Sequence, residues 1–393
     1  MAQNVALIMK KTKKVAILLN ANKAYDRGLI SGIGEYIQSS SCHWDVYIEE
    51  DFYSTNKNIN LNKYDGIIAD YDDPDTPHYL SQTNSVIVGV GSSYQNHDDY
   101  PDIPYIATDN SKIIQLAYEH LKDKGLLHFG YYGFPKCEHW RWSIEREKAF
   151  VDLIRNEGMQ YSVYRGLAPL NRHWEAAAKG LANWLKSLTE PTGIIVATDA
   201  RARQLLQVID ELGIPIPEHL AVVGIDNEEV TRYLSRIPLS SVEQGVRTMG
   251  YQAAQMLDTL LNDEPLEHDR VIVPPEKVHA RLSSHYRSVK DPDVIQAQHY
   301  IRLNACKGLK VENVLEYLHL SRSHLDNKFK NALGYSIHHE IHTNKLNKAL
   351  ELLNHTKLSI AEISKASGYP TVQYMYAIFK KEFDRTPNSF REE

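Results

Sequence analysis

Three apolar stretches of this 393-residue chain are each followed by a run of polar residues suited to binding a small polyhydroxylated molecule. Val15–Leu19 is followed by Asn20-Ala-Asn22-Lys-Ala-Tyr25-Asp26-Arg27. Gly193–Ala197 is followed by Thr198-Asp199-Ala-Arg201-Ala-Arg203, and Leu220–Ile225 by Asp226-Asn227-Glu228. Carboxylates, amides and guanidiniums hydrogen-bond hydroxyl groups, while an aromatic face covers the apolar C–H side of a ring. Tyr25, Tyr94, Phe134 and Trp142 are available for that stacking. Taken singly, an Asp or Asn after a strand more often caps the next helix. Several such ends converging on one cleft favour a polar small-molecule site.

The elements that would position these residues alternate. Short β-rich runs (the three above, with Trp44–Ile48, Gly66–Ala69, Val86–Val90 and Phe129–Tyr132) are separated by amphipathic segments such as Ser111–Lys124, Ile144–Asn156, Trp174–Ser187, Arg201–Leu212 and Arg247–Leu261. Strands alternating with helices predict parallel sheets covered on both faces. Roughly 270 residues of this pattern is about twice one doubly wound unit, so two α/β lobes with a cleft between them are expected. Ligands of such folds sit at the carboxyl ends of the strands.

The last part of the chain follows a different rule. Val311, Val314, Leu318, Ser321, Leu325, Phe329-Lys330 and Leu333 form an apolar frame whose first half returns forty-nine residues later at Ile360 and Ile363. Its second half returns after fifty, at Thr371, Met375, Phe379-Lys380 and Phe383. Each half breaks in the middle, at Leu318-His319-Leu320-Ser321 and at Ser367-Gly368-Tyr369-Pro370-Thr371, where Gly permits a sharp turn and Ser or Thr caps the next helix. Two short helices around such a turn form a helix-turn-helix, whose second helix enters a DNA major groove. The expected architecture is a sensor over 1–285, a linker over 286–291, and an all-α reader over 292–393. The reader's two helix-turn-helix units are placed at about 308–333 and 357–383, joined by a helix over Ile337–Asn354. In the first, Arg322, Ser323, Asp326 and Asn327 are expected toward the bases; in the second, Thr371, Gln373, Tyr374 and Ala377. Lys328, Lys330, Lys380 and Lys381 are expected at phosphates or in solvent. The linker Tyr286–Asp291 is too short and too poor in Gly to act as a free tether.

Charge is distributed accordingly. From Tyr286 onward there are 16 Lys+Arg against 12 Asp+Glu, and 28 against 38 before it, giving net charges of +4 and -10 within the overall -6. A mildly basic tail on an acidic body suits a nucleic-acid reader whose bulk does another job. Cys42, Cys137 and Cys306 are odd in number and widely spaced, which points to a reducing compartment rather than a disulfide framework. The five-residue run Val15–Leu19 is too short for a signal-peptide core and no stretch approaches membrane-spanning length, so a cytoplasmic protein without a membrane partner is expected. No cofactor or metal is expected. His338 and His342 lie one turn apart without a third ligand, and Gly89-Val-Gly91 lacks the remainder of a dinucleotide motif. Asp72-Asp73 reads as solvated surface in a Pro-containing loop.

Longer motifs carry a resemblance. Gly213-Ile-Pro-Ile-Pro217-Glu-His-Leu-Ala-Val-Val-Gly-Ile-Asp226-Asn, Tyr105-Ile-Ala-Thr-Asp109-Asn, Arg146-Glu-Lys-Ala-Phe150 and Ser240-Ser-Val-Glu-Gln244 resemble the ligand domains of LacI/GalR-type repressors, which are similar in fold to periplasmic sugar-binding proteins. That family's N-terminal helix-turn-helix has no counterpart before the strand at Val15. The tail, with its closing Phe379-Lys-Lys-Glu-Phe-Asp-Arg-Thr-Pro387-Asn-Ser-Phe-Arg391, instead resembles the AraC/XylS family, with Asp384 where a Gly commonly ends the recognition helix. Asp tolerates the left-handed conformation better than most residues. The resemblance implies a sugar-responsive transcription activator, with Arg146 gripping sugar hydroxyls, Asp226 accepting from them and Gln244 supplying a cleft-side amide. Asn22, Asp26, Ser92, Asp199 and Arg201 are expected in loops facing the same cleft. The implied ligand is a pentose, D-xylose first; the residues themselves do not distinguish it from other pentoses. Double-stranded operator DNA, RNA polymerase and a second copy of the chain in a homodimer are the implied partners. The alternative is a cytosolic sugar-processing enzyme carrying a helical interaction module.

Overall fold

The computed structural model describes residues 12–48, 60–94, 96–137, 140–167, 174–287, 289 and 291–391. It divides into two compact units, 1–286 and 287–393. The strands of the first unit are β1 (Lys13–Leu18), β2 (Trp44–Ile48), β3 (Gly66–Asp70), β4 (Val86–Ser92), β5 (Tyr105–Thr108), β6 (His128–Gly133), β7 (Gln160–Arg165), β8 (Thr192–Val196), β9 (Leu220–Ile225), β10 (Ser240–Glu243), β11 (Arg270–Val273) and β12 (Lys277–His279). They form two six-stranded sheets, ordered β11-β5-β4-β3-β1-β2 and β12-β10-β9-β8-β6-β7. Every pairing is parallel except β10 with β12. β3, β8 and β9 are buried along their whole length, as strands covered by helices on both faces must be.

The chain passes between the lobes three times, after β5, β10 and β11. The helix Val246–Leu261 therefore packs in the first lobe, against the helix Ala24–Ser39. Leu29 and Ile33 meet Met249, Ala253 and Leu257 there in one core. The two helices touch backbone to backbone: a Cβ on Gly250 would lie 2.0 Å from the Leu29 carbonyl oxygen, and one on Gly32 1.9 Å from that of Arg247. Gly250→Ala must push the helices apart, at a cost of about 1–3 kcal/mol. Its melting temperature is expected to fall by about 2–4 °C per kcal/mol lost; an unchanged thermal unfolding curve would contradict the packing.

The second unit contains the helices Pro292–Asn304, Val311–Leu318, Arg322–Leu333, Ile337–His355, Ile360–Ala366 and Val372–Phe383. Each half has its own core. Val311, Val314, Leu325, Phe329, Ile337 and Ile341 share the first, and Leu346, Ala349, Leu353, Ile363, Met375 and Phe379 the second. The repeated apolar frame is thus two structurally parallel helix-turn-helix cores. Left-handed residues close the helices at His319, Gly334 and Asp384, and Asp384 does at φ 54 what a Gly would do. Thr371 caps its helix by accepting from the Tyr374 N–H at 3.1 Å, whereas Ser321 stands at the corresponding N-cap without a side-chain bond.

The segment expected as a linker is largely taken up by the two units. Tyr286 is buried in the sensor core. Val289 is buried in the first reader core, and Asp291 caps the helix Pro292–Asn304.

Candidate ligand cavity and DNA-reading face

A cavity of about 780 Å³ lies at the carboxyl ends of the strands between the two lobes. Asn22, Tyr25, Asp26, Ser92, Phe134, Trp142, Arg146, Arg201, Asp226 and Gln244, all expected in the cleft, line it. Arg146 is its organising residue and is only 3 % exposed. Its Nε donates to Asn110 Oδ1 at 2.8 Å, Nη1 to the Ala197 carbonyl at 2.7 Å, and Nη2 to Gln244 Oε1 at 2.9 Å. The Gln244 amide then donates to Asp226 Oδ1 at 2.6 Å. This relay fixes the direction of the Gln244 amide and sets the Asp226 carboxylate at the cavity wall. The Trp142 ring centroid is 5.0 Å from the Arg146 guanidinium carbon. Burial pushes Asp226 up to about 6, with Arg146 and the Gln244 bond opposing it.

The Asp226 backbone is strained, with φ 117, and Asn227 follows at φ 52. Such strain persists only where the surroundings over-determine it, and it clusters at ligand sites. The anchors are visible: Asp226 N–H donates to the Val242 carbonyl at 3.0 Å, Asn227 N–H to Ser241 Oγ at 2.9 Å, and Glu228 N–H to Asp199 Oδ2 at 2.7 Å. Asp199 is one of those anchors and not a cavity residue. It sits at the first turn of the helix Asp199–Leu212, fully buried, with its other oxygen accepting from Ser241 Oγ at 2.7 Å. Tyr94 is likewise displaced from the expected stacking role, because its ring face is covered by Arg141 at 3.5 Å. Arg201 donates from Nη2 to the Leu167 carbonyl at 2.7 Å and lies 3.7 Å above the Phe134 ring; burial lowers its pKa.

The first lobe contributes an acidic wall. Asp26 Oδ2 accepts from the Asn20 N–H at 2.8 Å, while Oδ1 is buried without a hydrogen-bond partner among the described residues. Asp70 and Asp72, which sequence reasoning passed over, also line the cavity. Asp70 ends β3, so the strand-end rule applied to it as it did to Asp226. Asp72 is not the solvated residue expected: its side chain is 14 % exposed and accepts from the Ser92 N–H and hydroxyl at 2.9–3.1 Å. Burial, then Asp72 and Asp26, push Asp70 up to about 8, and Lys23 at 3.8 Å opposes them. An acid held above its unfolded pKa stabilises the fold at low pH and loses that contribution as pH rises toward 8. Asp70→Asn should therefore raise the melting temperature more at pH 8.5 than at pH 5. An equal shift at both would remove Asp70 titration as the cause.

On the reader, Arg322, Ser323, Asn327 and Lys330 are exposed on the first recognition helix, and Gln373, Tyr374, Ala377 and Lys380 on the second, with Thr371 exposed at its N-cap. Asp326 departs from expectation. It is half-buried, accepts from the Ile337 N–H at 3.4 Å and lies 4.0 Å from Arg322, so it ties the recognition helix to the following one rather than facing bases. The fifty-residue offset carried the signal: it pairs Tyr374 with His324, which is exposed, and Tyr376 with Asp326, and both of these are half-buried. Lys328 is also not free for phosphate, being bonded to Asp291 at 2.8 Å and 2.7 Å from Asp293. Lys380 pairs with Asp384 at 2.6 Å on open surface. His342 stands 3.5 Å from Glu382.

A two-lobed ligand-binding domain followed by a tandem helix-turn-helix reader defines a ligand-responsive transcription regulator. The chain matches the XylR N-terminal domain over residues 14–111, a periplasmic binding protein-like domain over 118–284 and a helix-turn-helix domain over 314–393. It is 50 % identical over 382 residues to the xylose operon regulatory protein of Escherichia coli K12, covering 97 % of both chains. It is 49 % identical to the Haemophilus influenzae protein of that name, covering 96 % of this chain and 98 % of the relative. A solved structure described as the xylose-binding transcription activator xylR superposes with a TM-score of 0.90 at 49 % identity, covering 98 % of each chain. The chain belongs to the family of xylose operon regulatory proteins. It is a DNA-binding regulator of transcription and not an enzyme. No helix among the described residues is long and apolar enough to cross a membrane.

Proposed function

We propose that this regulator is a cytoplasmic, sugar-responsive activator that binds D-xylose or a related pentose in the interlobe cavity. The observation that carries the reading is the Arg146–Gln244–Asp226 relay ending on the cavity beside Trp142. A carboxylate acceptor, an oriented amide and an aromatic face together meet the hydroxyls and the C–H side of a small sugar ring. The partly unsatisfied Asp26 carboxylate on the opposite lobe supplies a second acceptor, so bound sugar would draw the lobes together. The names of the relatives select xylose among the pentoses. Operator DNA is read by the tandem helix-turn-helix, two copies of the chain act together, and RNA polymerase receives the signal.

Calorimetry with D-xylose, L-arabinose, D-ribose and D-glucose tests the ligand, and D-xylose is expected to bind tightest. Repeating the D-xylose titration on protein saturated with operator tests the coupling. By linkage, sugar that strengthens DNA binding must bind more tightly when DNA is present, by the same factor, usually about 5–150-fold. Equal affinities would leave polymerase contact as the regulated step.

A further inference from the structure

Arg141 begins the helix Arg141–Asn156 in the second lobe, yet its contacts lie on the first. Its Nη2 donates to Asp72 Oδ1 at 2.7 Å, to the Ser92 carbonyl at 3.3 Å and to the Tyr105 hydroxyl at 3.3 Å. Its guanidinium carbon stands 3.5 Å from the centroid of the Tyr94 ring. Asp72 follows β3, Ser92 ends β4 and Tyr105 opens β5, all first-lobe strands. On its own lobe, among the described residues, its ion-pair partner is Glu145, one turn along its own helix at 4.0 Å. A side chain that commits its charge, its Nη2 group and its stacking face across the cleft does little to hold its own lobe together. It works on the distance between lobes.

Arg141 does not line the cavity, but Asp72 and Ser92 do. We propose that Arg141 is a positioning residue that sets how far the sugar-free sensor is already closed, acting through Asp72. The acidic wall supplies the reason. Asp72 shares that wall with Asp26 and Asp70, and Arg141 brings a cation to it only when the lobes approach. Opening returns Arg141 and Asp72 to water and uncovers Tyr94. A second, more exposed interlobe pair joins Arg27 to Glu228 at 3.8 Å. The arrangement makes closure partly independent of ligand, and it adds a control on basal activity to the sugar-gated reading above, on which its physiological meaning rests. A ligand can shift an equilibrium only by its differential affinity for the two states, so the pre-existing balance sets the apparent sugar affinity.

The test uses the full chain with dyes on Asn84→Cys and Glu190→Cys, exposed positions at the amino ends of β4 and β8, with Cys42, Cys137 and Cys306 replaced by Ser. Energy transfer is read first without any sugar. Arg141→Met should lengthen the dye distance, and Arg141→Lys, which keeps the charge but loses the planar fork and stacking face, should fall between. Apparent D-xylose affinity should drop about tenfold in Arg141→Met if the closed population falls by that factor. The double exchange Asp72→Lys with Arg141→Glu should bring the sugar-free distance back toward the parent value, which no purely structural role would do. A parental distance in both single variants, with unchanged thermal unfolding, overturns the proposal. The distance measurement needs no sugar, so a failure of D-xylose to bind would count against the ligand assignment and leave this result standing. If Arg141→Met does not fold, Arg141→Lys and the double exchange decide by the same distance.

Discussion

Arg146→Ala is expected to abolish D-xylose binding at concentrations that saturate the parent protein. The substitution removes a cation that holds Asn110, the Ala197 carbonyl and Gln244 at once. Those acceptors would be left unpaired in a buried site, and losing a charged hydrogen-bonding partner there costs about 2–4 kcal/mol, roughly 30- to 1,000-fold in affinity. Arg146→Lys should rescue little, because one ammonium cannot span three acceptors in fixed directions. Asp226→Ala is expected to lose a comparable amount for a different reason: it removes the terminal acceptor and frees the Gln244 amide. The backbone strain at φ 117 stays, because Ala keeps the Cβ that causes it, so a loss of binding in this variant is read together with its thermal unfolding. Calorimetry on both variants decides. Near-parental affinity in both would sink the cavity assignment.

The DNA face gives the second large effect. Gln373→Ala should relax sequence choice at the positions it contacts, since an amide can bond an adenine edge in two places at once, worth about 1–3 kcal/mol of discrimination. Lys380→Ala should instead weaken every site alike and reduce the salt slope by about one. Both residues are exposed on the recognition helix Val372–Phe383, seven positions apart, hence on one face. Binding measured over a panel of operator variants at several salt concentrations separates the two. Identical behaviour would mean that base and phosphate contacts are sorted wrongly. His324→Ala should resemble Tyr374→Ala, because the fifty-residue repeat pairs the two exposed side chains.

Much of this was legible from the chain. Long, apolar, twice-covered strands such as β8 and β9 announce themselves by composition, and helices by their periodicity. The crossover strands β5, β10 and β11 are four residues long and were missed, since so short a run carries too little pattern to separate from loop. Loops at strand ends pointed to Asp26, Arg201 and Asp226, which the structure brings to one cavity, because fold topology alone brings such ends together. The same rule overreached at Asp199, whose side chain turns inward to anchor the neighbouring loop, and it was not applied to Asp70. Asp72 was misread because a Pro and two adjacent acids look solvated until a partner from the other lobe arrives. That partner, Arg141, lies 69 positions away, beyond any local pattern. In the reader, Asp326 looked like a base contact by chemistry, while the repeat register already placed it beside the half-buried Tyr376.

The helix Ile337–His355 belongs to both reader cores at once: Ile337 and Ile341 are locked into the first, Leu346, Ala349 and Leu353 into the second. Its 19 residues rise about 28 Å, close to the roughly 34 Å that separates successive major grooves on one face of DNA. Because neither half can slip, one residue inserted after Asn344 would turn the second recognition helix by about 100° relative to the first. On the operator side, the same misalignment takes about three base pairs of extra spacing, at roughly 35° each. Operator spacing and protein helix register are thus two copies of one phase, and a change in either should be correctable only by a matching rotation in the other.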